Sequence, residues 1–394
     1  MEPFKIQNYH SPASRVYLGR WPGWLVVVAL LFSPLARADI PVVPDWSGDE
    51  AGNTGFFDPT LGATRRAVFV AAAAYVGSLF SPAYPGETIR VKASFNDFAT
   101  NSPVGMGVGM GGPAGFTNNF GSTNPRYRAD TDYTFTLANH LAARDLIPGN
   151  TVEVDFNSNL AVKFDYGTND TPALNSGLES LYTTVIHEIV HGIGFIDSIN
   201  STSGAFDSFP SAFDRLIVKG TNNPVAYTSL SDAQRLAAIT SDDLYWAGPL
   251  ATAANGGLPI KLYAPNPYAS GSSISHLDTT LFDPQGLLLL PQDSPLVKAQ
   301  LSLTALERAM LYEMGFTPSL PRLTISRARD VTTVSFTGIR GAHYRLRHTT
   351  TLNSTSTVTG WTAGTEVVMG TGGVVTLTLS SNGSSQFFAT EIVP

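Results

Sequence analysis

The chain has 394 residues, a formal net charge of −7, only 14% charged residues and no cysteine. An acidic, sparsely charged chain is a poor partner for nucleic acid or an anionic membrane. The absence of cysteine excludes disulfides, thiolate metal ligands and a cysteine-based latency switch, and the length allows two or three domains with ample core.

Residues 1–38 read as a signal peptide. Lys5, Arg15 and Arg20 make a basic start, 24–32 is an apolar run too short to span a bilayer, and Ala36-Arg37-Ala38 is an A-x-A cleavage site. The mature chain is expected to begin near Asp39, to be secreted, and to keep no stable membrane insertion once the signal is removed. Cysteine-free exported enzymes are ordinary in bacteria, so a bacterial source is expected.

Segment 39–60 is rich in Pro, Gly and Asp and reads as an extended entry. An alanine-rich apolar run predicts a buried helix over 64–80, and alternation of Ile89, Val91 and Ala93 with polar residues predicts a strand over 88–95. The Gly-rich stretch 104–121 lacks the Lys-Ser/Thr ending of a phosphate-binding loop and reads as a flexible surface loop. A helix is predicted over 133–145 and a strand over 151–157. Asp155, Asn157 and Asn159 form an oxygen-rich cluster that could bind calcium. Without the Gly turn and final Glu of a calcium loop, the expected reading is a turn network.

Leu178, Leu181, Tyr182, Val185, Ile186, Ile189, Val190 and Ile193 then recur at three- and four-residue spacing, as an amphipathic helix requires. Ser176 followed by Glu179 suggests a capping-box start, and Gly192 and Gly194 suggest the exit turn. The helix carries His187-Glu188-Ile189-Val190-His191, an H-E-x-x-H sequence. Two histidines four apart lie one turn apart on one face, where a single tetrahedral zinc can take both. Glu188 is then the candidate general base for a water activated by the metal, and the chemistry implied is metal-assisted hydrolysis, most often of a peptide bond.

The stretch 198–275 mixes short elements, including a helix over 231–239, with many Gly and Pro. A further helix follows over 302–314, and Thr317-Pro318-Ser319-Leu320-Pro321 marks a boundary. Six runs of β-formers (322–326, 332–336, 344–348, 361–368, 374–379 and 386–392) predict a C-terminal all-β sandwich over 319–394. The expected fold class is α+β.

A catalytic zinc needs a third protein ligand. Of seven histidines, His10 lies in the signal peptide, and His343 and His348 lie in the β domain. His140, His276 and the carboxylates remain.

The run His187 to Phe195 resembles the active helix of metzincin metallopeptidases. In most of these the third ligand is a histidine three residues past the motif glycine. The corresponding residue here is Asp197, and a minority of bacterial members similar to snapalysin use aspartate. A longer span, roughly 66–316, resembles leishmanolysin-like peptidases, in which an insert separates the helix from the third histidine. The matching residues are Ser275-His276-Leu277-Asp278, then Gly286 to Pro291, then Leu303 to Phe316.

The resemblance implies a zinc metalloendopeptidase domain over 39–318, with 198–275 as the insert between ligands. His187, His191 and His276 would bind the metal, and Asp197 is the alternative third ligand. It also implies that an extended protein or peptide substrate pairs with an edge strand, taken here as 151–157. Two features depart from the family. Leu289 stands at its methionine-turn position, and the relatives' disulfides are missing. The alternative reading is a non-catalytic zinc-binding, adhesion or carbohydrate-binding protein, with Tyr344, Trp361, Phe387 and Phe388 as aromatic contacts in the β domain.

Overall fold

The computed structural model describes residues 39–98, 107–159, 162–169, 176–282, 286–291, 301–319, 321, 323–328, 331–350, 361–380 and 387–393. The signal-peptide reading of 1–38 therefore lies outside the described residues. Among those described, helices mix with several sheets, in keeping with an α+β chain. No described helix is long and apolar enough to cross a membrane.

The first sheet carries the site. Strand β1 (Val42–Asp45) leads through helix α1 (Gly62–Ser78) to β2 (Ile89–Asn96). Next in the chain come β3 (Gly109–Pro113), helix α2 (Phe135–Ala142) and β4 (Val152–Asn157). The sheet order is β1-β2-β4-β3, with the first three parallel and β3 antiparallel. Along β2, Ile89, Val91, Ala93 and Phe95 are buried and the residues between them are not, as the pleat dictates. The predicted helices over 64–80 and 133–145 appear as α1 and α2, and the predicted strands appear as β2 and β4.

Two expectations are corrected here. The Gly-rich stretch is not a loop throughout: residues 109–113 form β3, with Gly111 opposite Val154 of β4. It follows that 151–157 is not an edge strand. β4 is flanked by β2 and β3, and among the described residues the outer strand on its side of the sheet is β3. Glycine has low strand propensity, so local sequence argued against a strand; close approach to a helix overrides that preference.

The helix is α3 (Leu181–Ile193), packed against α1, β3 and β4. Val185, Ile186, Ile189, Val190 and Ile193 have no solvent exposure. It starts four residues later than the Ser176 signal suggested. Glu179 and Ser180 pair with Phe164 and Asp165, and the Ser180 hydroxyl accepts from Thr183 N at 3.3 Å as the true cap. Gly192 lies inside the helix, where a Cβ would meet Val152 Cγ1 at 2.2 Å, so the glycine lets helix and sheet close up.

The segment 198–275 carries a small sheet of its own. Its short strands (Val225–Ala226, Ile217–Lys219, Leu244–Trp246, Ile260–Lys261) form an antiparallel sheet, and the predicted helix over 231–239 appears as Asp232–Ala238. Phe195, Phe213 and Trp246 cluster beneath it. The Trp246 indole N–H reaches Glu313 Oε2 at 2.8 Å, tying the insert to helix α4 (Ala305–Met314).

The C-terminal strands are Thr324–Ala328, Val331–Thr337, His343–Thr349, Thr362–Met369, Val374–Ser380 and Phe387–Val393, close to the six predicted runs. They form two three-stranded antiparallel sheets, and the rings of Phe336 and Tyr344, one from each, meet at 5.0 Å.

Candidate metal centre

His187 and His191 project from α3, and the insert delivers His276 beside them. The Nε2 atoms lie 2.9 Å apart for His187 and His191, and 3.2 Å for each against His276. Among the described residues this is the one group of three potential ligands that converges closely enough to hold a metal ion.

The other ring nitrogens show why these are ligands in waiting. His187 Nδ1 lies 2.6 Å from Leu288 O, His191 Nδ1 2.7 Å from Phe195 O, and His276 Nδ1 2.8 Å from Ser272 O. A carbonyl only accepts, so each Nδ1 carries the hydrogen and each neutral ring has its lone pair on Nε2. Burial keeps the rings neutral: it lowers the pKa of His187, takes His191 down to about 3, and takes His276 well below the usual histidine value. Three lone pairs thus face one another at contact distance, an arrangement that repels unless a cation sits among them. A tetrahedral ion bound at about 2.0–2.1 Å separates its ligand nitrogens by about 3.3 Å, within a few tenths of the spacing found. The donor set and its geometry fit a divalent metal.

Local backbone chemistry produces each contact. Gly194 exits α3 with φ of 152°, which glycine tolerates, and the turn returns Phe195 O to His191. His276 rides on a segment zipped to the insert sheet through Leu277–Leu262 bridging and Tyr263 N→His276 O at 2.8 Å. Two residues earlier, buried Ile274 is held at φ of 73°, a conformation that β-branched residues resist. Its N–H bonds Tyr263 O at 2.7 Å, so the surrounding network imposes the turn.

Glu188 lies between the two helix ligands in sequence and faces β3. A Cβ on Gly109 would sit 2.6 Å from Glu188 Oε1, and one on Gly111 would sit 2.4 Å from Glu188 O. The strand can lie there because it presents glycine at alternate positions. Burial pushes the Glu188 carboxyl up to about 8, which makes it a stronger base than an exposed carboxylate.

Asp197 stands elsewhere. Its Oδ2 accepts from the Ser275 hydroxyl at 2.6 Å, and its N–H donates to Ser275 Oγ at 3.0 Å. It grips the residue before His276 and does not join the triad. His140 is also apart, buried between Glu87 (2.8 Å) and Thr317 (3.2 Å). Of the Asp155, Asn157 and Asn159 cluster, only Asn157 and Asn159 share a turn; Asp155 lies within β4 and bonds across to β2. Asp155 accepts from Asn96, Asn157 bonds Gly107 O and Asn159 N, and Asn159 bonds Asp97.

Sequence reasoning missed Gly109 and Gly111, whose Gly-x-Gly alternation was the available signal, and the three carbonyl anchors, which leave no side-chain signature. No known protein family, curated protein or solved structure matches this chain.

Proposed function

We propose that this chain is a secreted zinc-dependent endopeptidase built like a metzincin, with 319–394 as an accessory β-sandwich. The observation that carries the reading is the convergence of three Nε2 lone pairs, each ring locked through Nδ1 on a carbonyl, with Glu188 on the same helix. His187, His191 and His276 would hold the zinc. When bound, the ion supplies Lewis acidity that polarises a carbonyl and acidifies water.

Glu188, a buried carboxyl on the same helix as two of the ligands, would take the proton from the attacking water and return it to the departing amine. The neighbouring strand β3, an outer strand of the sheet among the described residues, is where an extended peptide can add as a further strand. With glycine at 109 and 111, that strand brings peptide backbone close to Glu188.

The test is hydrolysis of an unfolded protein such as casein by the purified protein beside Glu188→Ala, each after chelation and after zinc return. Activity that disappears on chelation, recovers with zinc and is at least a hundredfold lower in the variant supports the reading. A folded wild type that takes up zinc and cleaves nothing would instead identify a zinc-binding module, for which Glu188 is dispensable.

A further inference from the structure

We propose that Glu307 is a positioning residue for the metal centre, acting on His187 through a single intervening peptide group; the proposal rests on the metal-centre reading above. Glu307 lies in the first turn of α4 and has no solvent exposure. One of its oxygens does ordinary helix-start work: Oε2 accepts from Thr304 N at 2.7 Å and from the Thr304 hydroxyl at 2.9 Å, while Glu307 N returns to that hydroxyl at 3.3 Å. The other oxygen is not needed for the cap. Oε1 accepts from Leu289 N at 2.8 Å.

That N–H belongs to the peptide group whose carbonyl is Leu288 O, and Leu288 O accepts from His187 Nδ1 at 2.6 Å. Carboxylate, peptide and imidazole thus form one continuous chain of hydrogen bonds. Hydrogen bonds in series polarise one another, and they do so most strongly in a dry interior. Negative charge on Glu307 draws the Leu289 hydrogen, strengthens Leu288 O as an acceptor, and leaves His187 Nε2 a better electron donor. The neighbouring carbonyl, Leu289 O, accepts from Leu277 N at 2.8 Å, so the same peptide segment also steadies the residue after His276. A capping box works equally well with glutamine, so the cap alone does not explain a carboxyl at this position; burial raises its pKa, and the hydrogen bonds from Thr304 and Leu289 favour the ionised form against that.

The experiment compares zinc affinity, by competition with a chromophoric chelator, among wild type, Glu307→Gln and Thr304→Ala. The cobalt-substituted absorption spectrum and the thermal midpoint of the metal-free protein are measured alongside. Glutamine keeps the cap and removes the charge; Thr304→Ala weakens the cap and keeps the charge. The expected result is about tenfold or greater loss of zinc affinity in Glu307→Gln. Its cobalt bands should shift while its metal-free midpoint stays near wild type. Thr304→Ala should show a lowered midpoint and wild-type zinc affinity. Wild-type affinity and cobalt bands in Glu307→Gln overturn the proposal, as does equal weakening in both variants. A wild type that takes up neither zinc nor cobalt is a different failure, because it removes the metal centre itself.

Discussion

Asp197, half-buried just before the insert, and Asp214, buried within it, are carboxyl groups whose ionisations are linked. Asp214 Oδ2 collects hydrogen bonds from the backbone and hydroxyl of both Ser198 and Ser211, between 2.6 and 3.1 Å. Burial raises the Asp197 pKa, and the charge of Asp214 raises it further. A carboxyl whose folded pKa is raised contributes stability fully below its unfolded value near 3.8, and loses it as pH climbs through the folded value. Stability is therefore expected to fall as pH rises from about 4 towards about 7, then level off. Asp197→Asn keeps the size and the Ser275 contact but removes the titration. It should flatten that slope, with a difference on the order of 2–4 kcal/mol across the window. Denaturant midpoints at fixed metal loading from pH 4.5 to 8 check this; parallel wild-type and variant profiles would refute it.

At the scale of elements, the contact between β3 and α3 depends on which glycine face meets the helix. A Cβ at Gly111 would overlap the Glu188 backbone, whereas one at Gly112 would meet nothing within 4 Å. Gly111→Ala is expected to lower stability by about 1–3 kcal/mol and to reduce peptide hydrolysis, because either the strand or Glu188 must move. Gly112→Ala should be neutral or stabilising by up to about 1 kcal/mol. Thermal unfolding and casein turnover of the two variants are the comparison, and equal behaviour would remove the argument for close approach. The same contact shows where sequence was opaque. Helix α3 was legible because its apolar period and its histidine spacing agree, and the C-terminal strands were legible from alternation. β3 was not legible, because its reason for being a strand lies in a helix some 75 residues later, and propensity is local. The start of α3 was misread for a related reason: Ser176 and Ser180 are both chemically good caps, and pairing of Glu179 and Ser180 with Phe164 and Asp165 decides between them. His276 was legible only through order and spacing, and Glu307 not at all, since it acts on backbone.

In the whole molecule, the C-terminal strands are joined to the rest by more than a tether. Ser81 N bonds Thr317 O and Ser319 N bonds Leu79 O, each at 2.9 Å, so the boundary segment pairs with the end of α1. Arg308, buried in α4, donates to Leu303 O and, at 3.2 Å, to Gly341 O in the β region. One cooperative unfolding transition is therefore expected. Arg308→Ala leaves two carbonyls without their donor, each at about 1–3 kcal/mol, and should separate the β region's melting from the rest. Calorimetry tests this; a single sharp transition in the variant would show that the junction does not depend on Arg308.

His191 and His276 are 85 residues apart in the chain. As the chain folds, the helix alone can offer an ion only two weak points of attachment, and the third is delivered when the intervening segment has folded and zipped Leu277 to Leu262. On the proposed metal-centre reading, order of assembly becomes a filter: metal choice would be exercised by a finished scaffold of set dimensions and not by a nascent strand competing with every ion it meets. Partial proteolysis or misfolding anywhere in 198–275 would then be read out at the helix as a failure to retain metal, with His187 and His191 themselves intact.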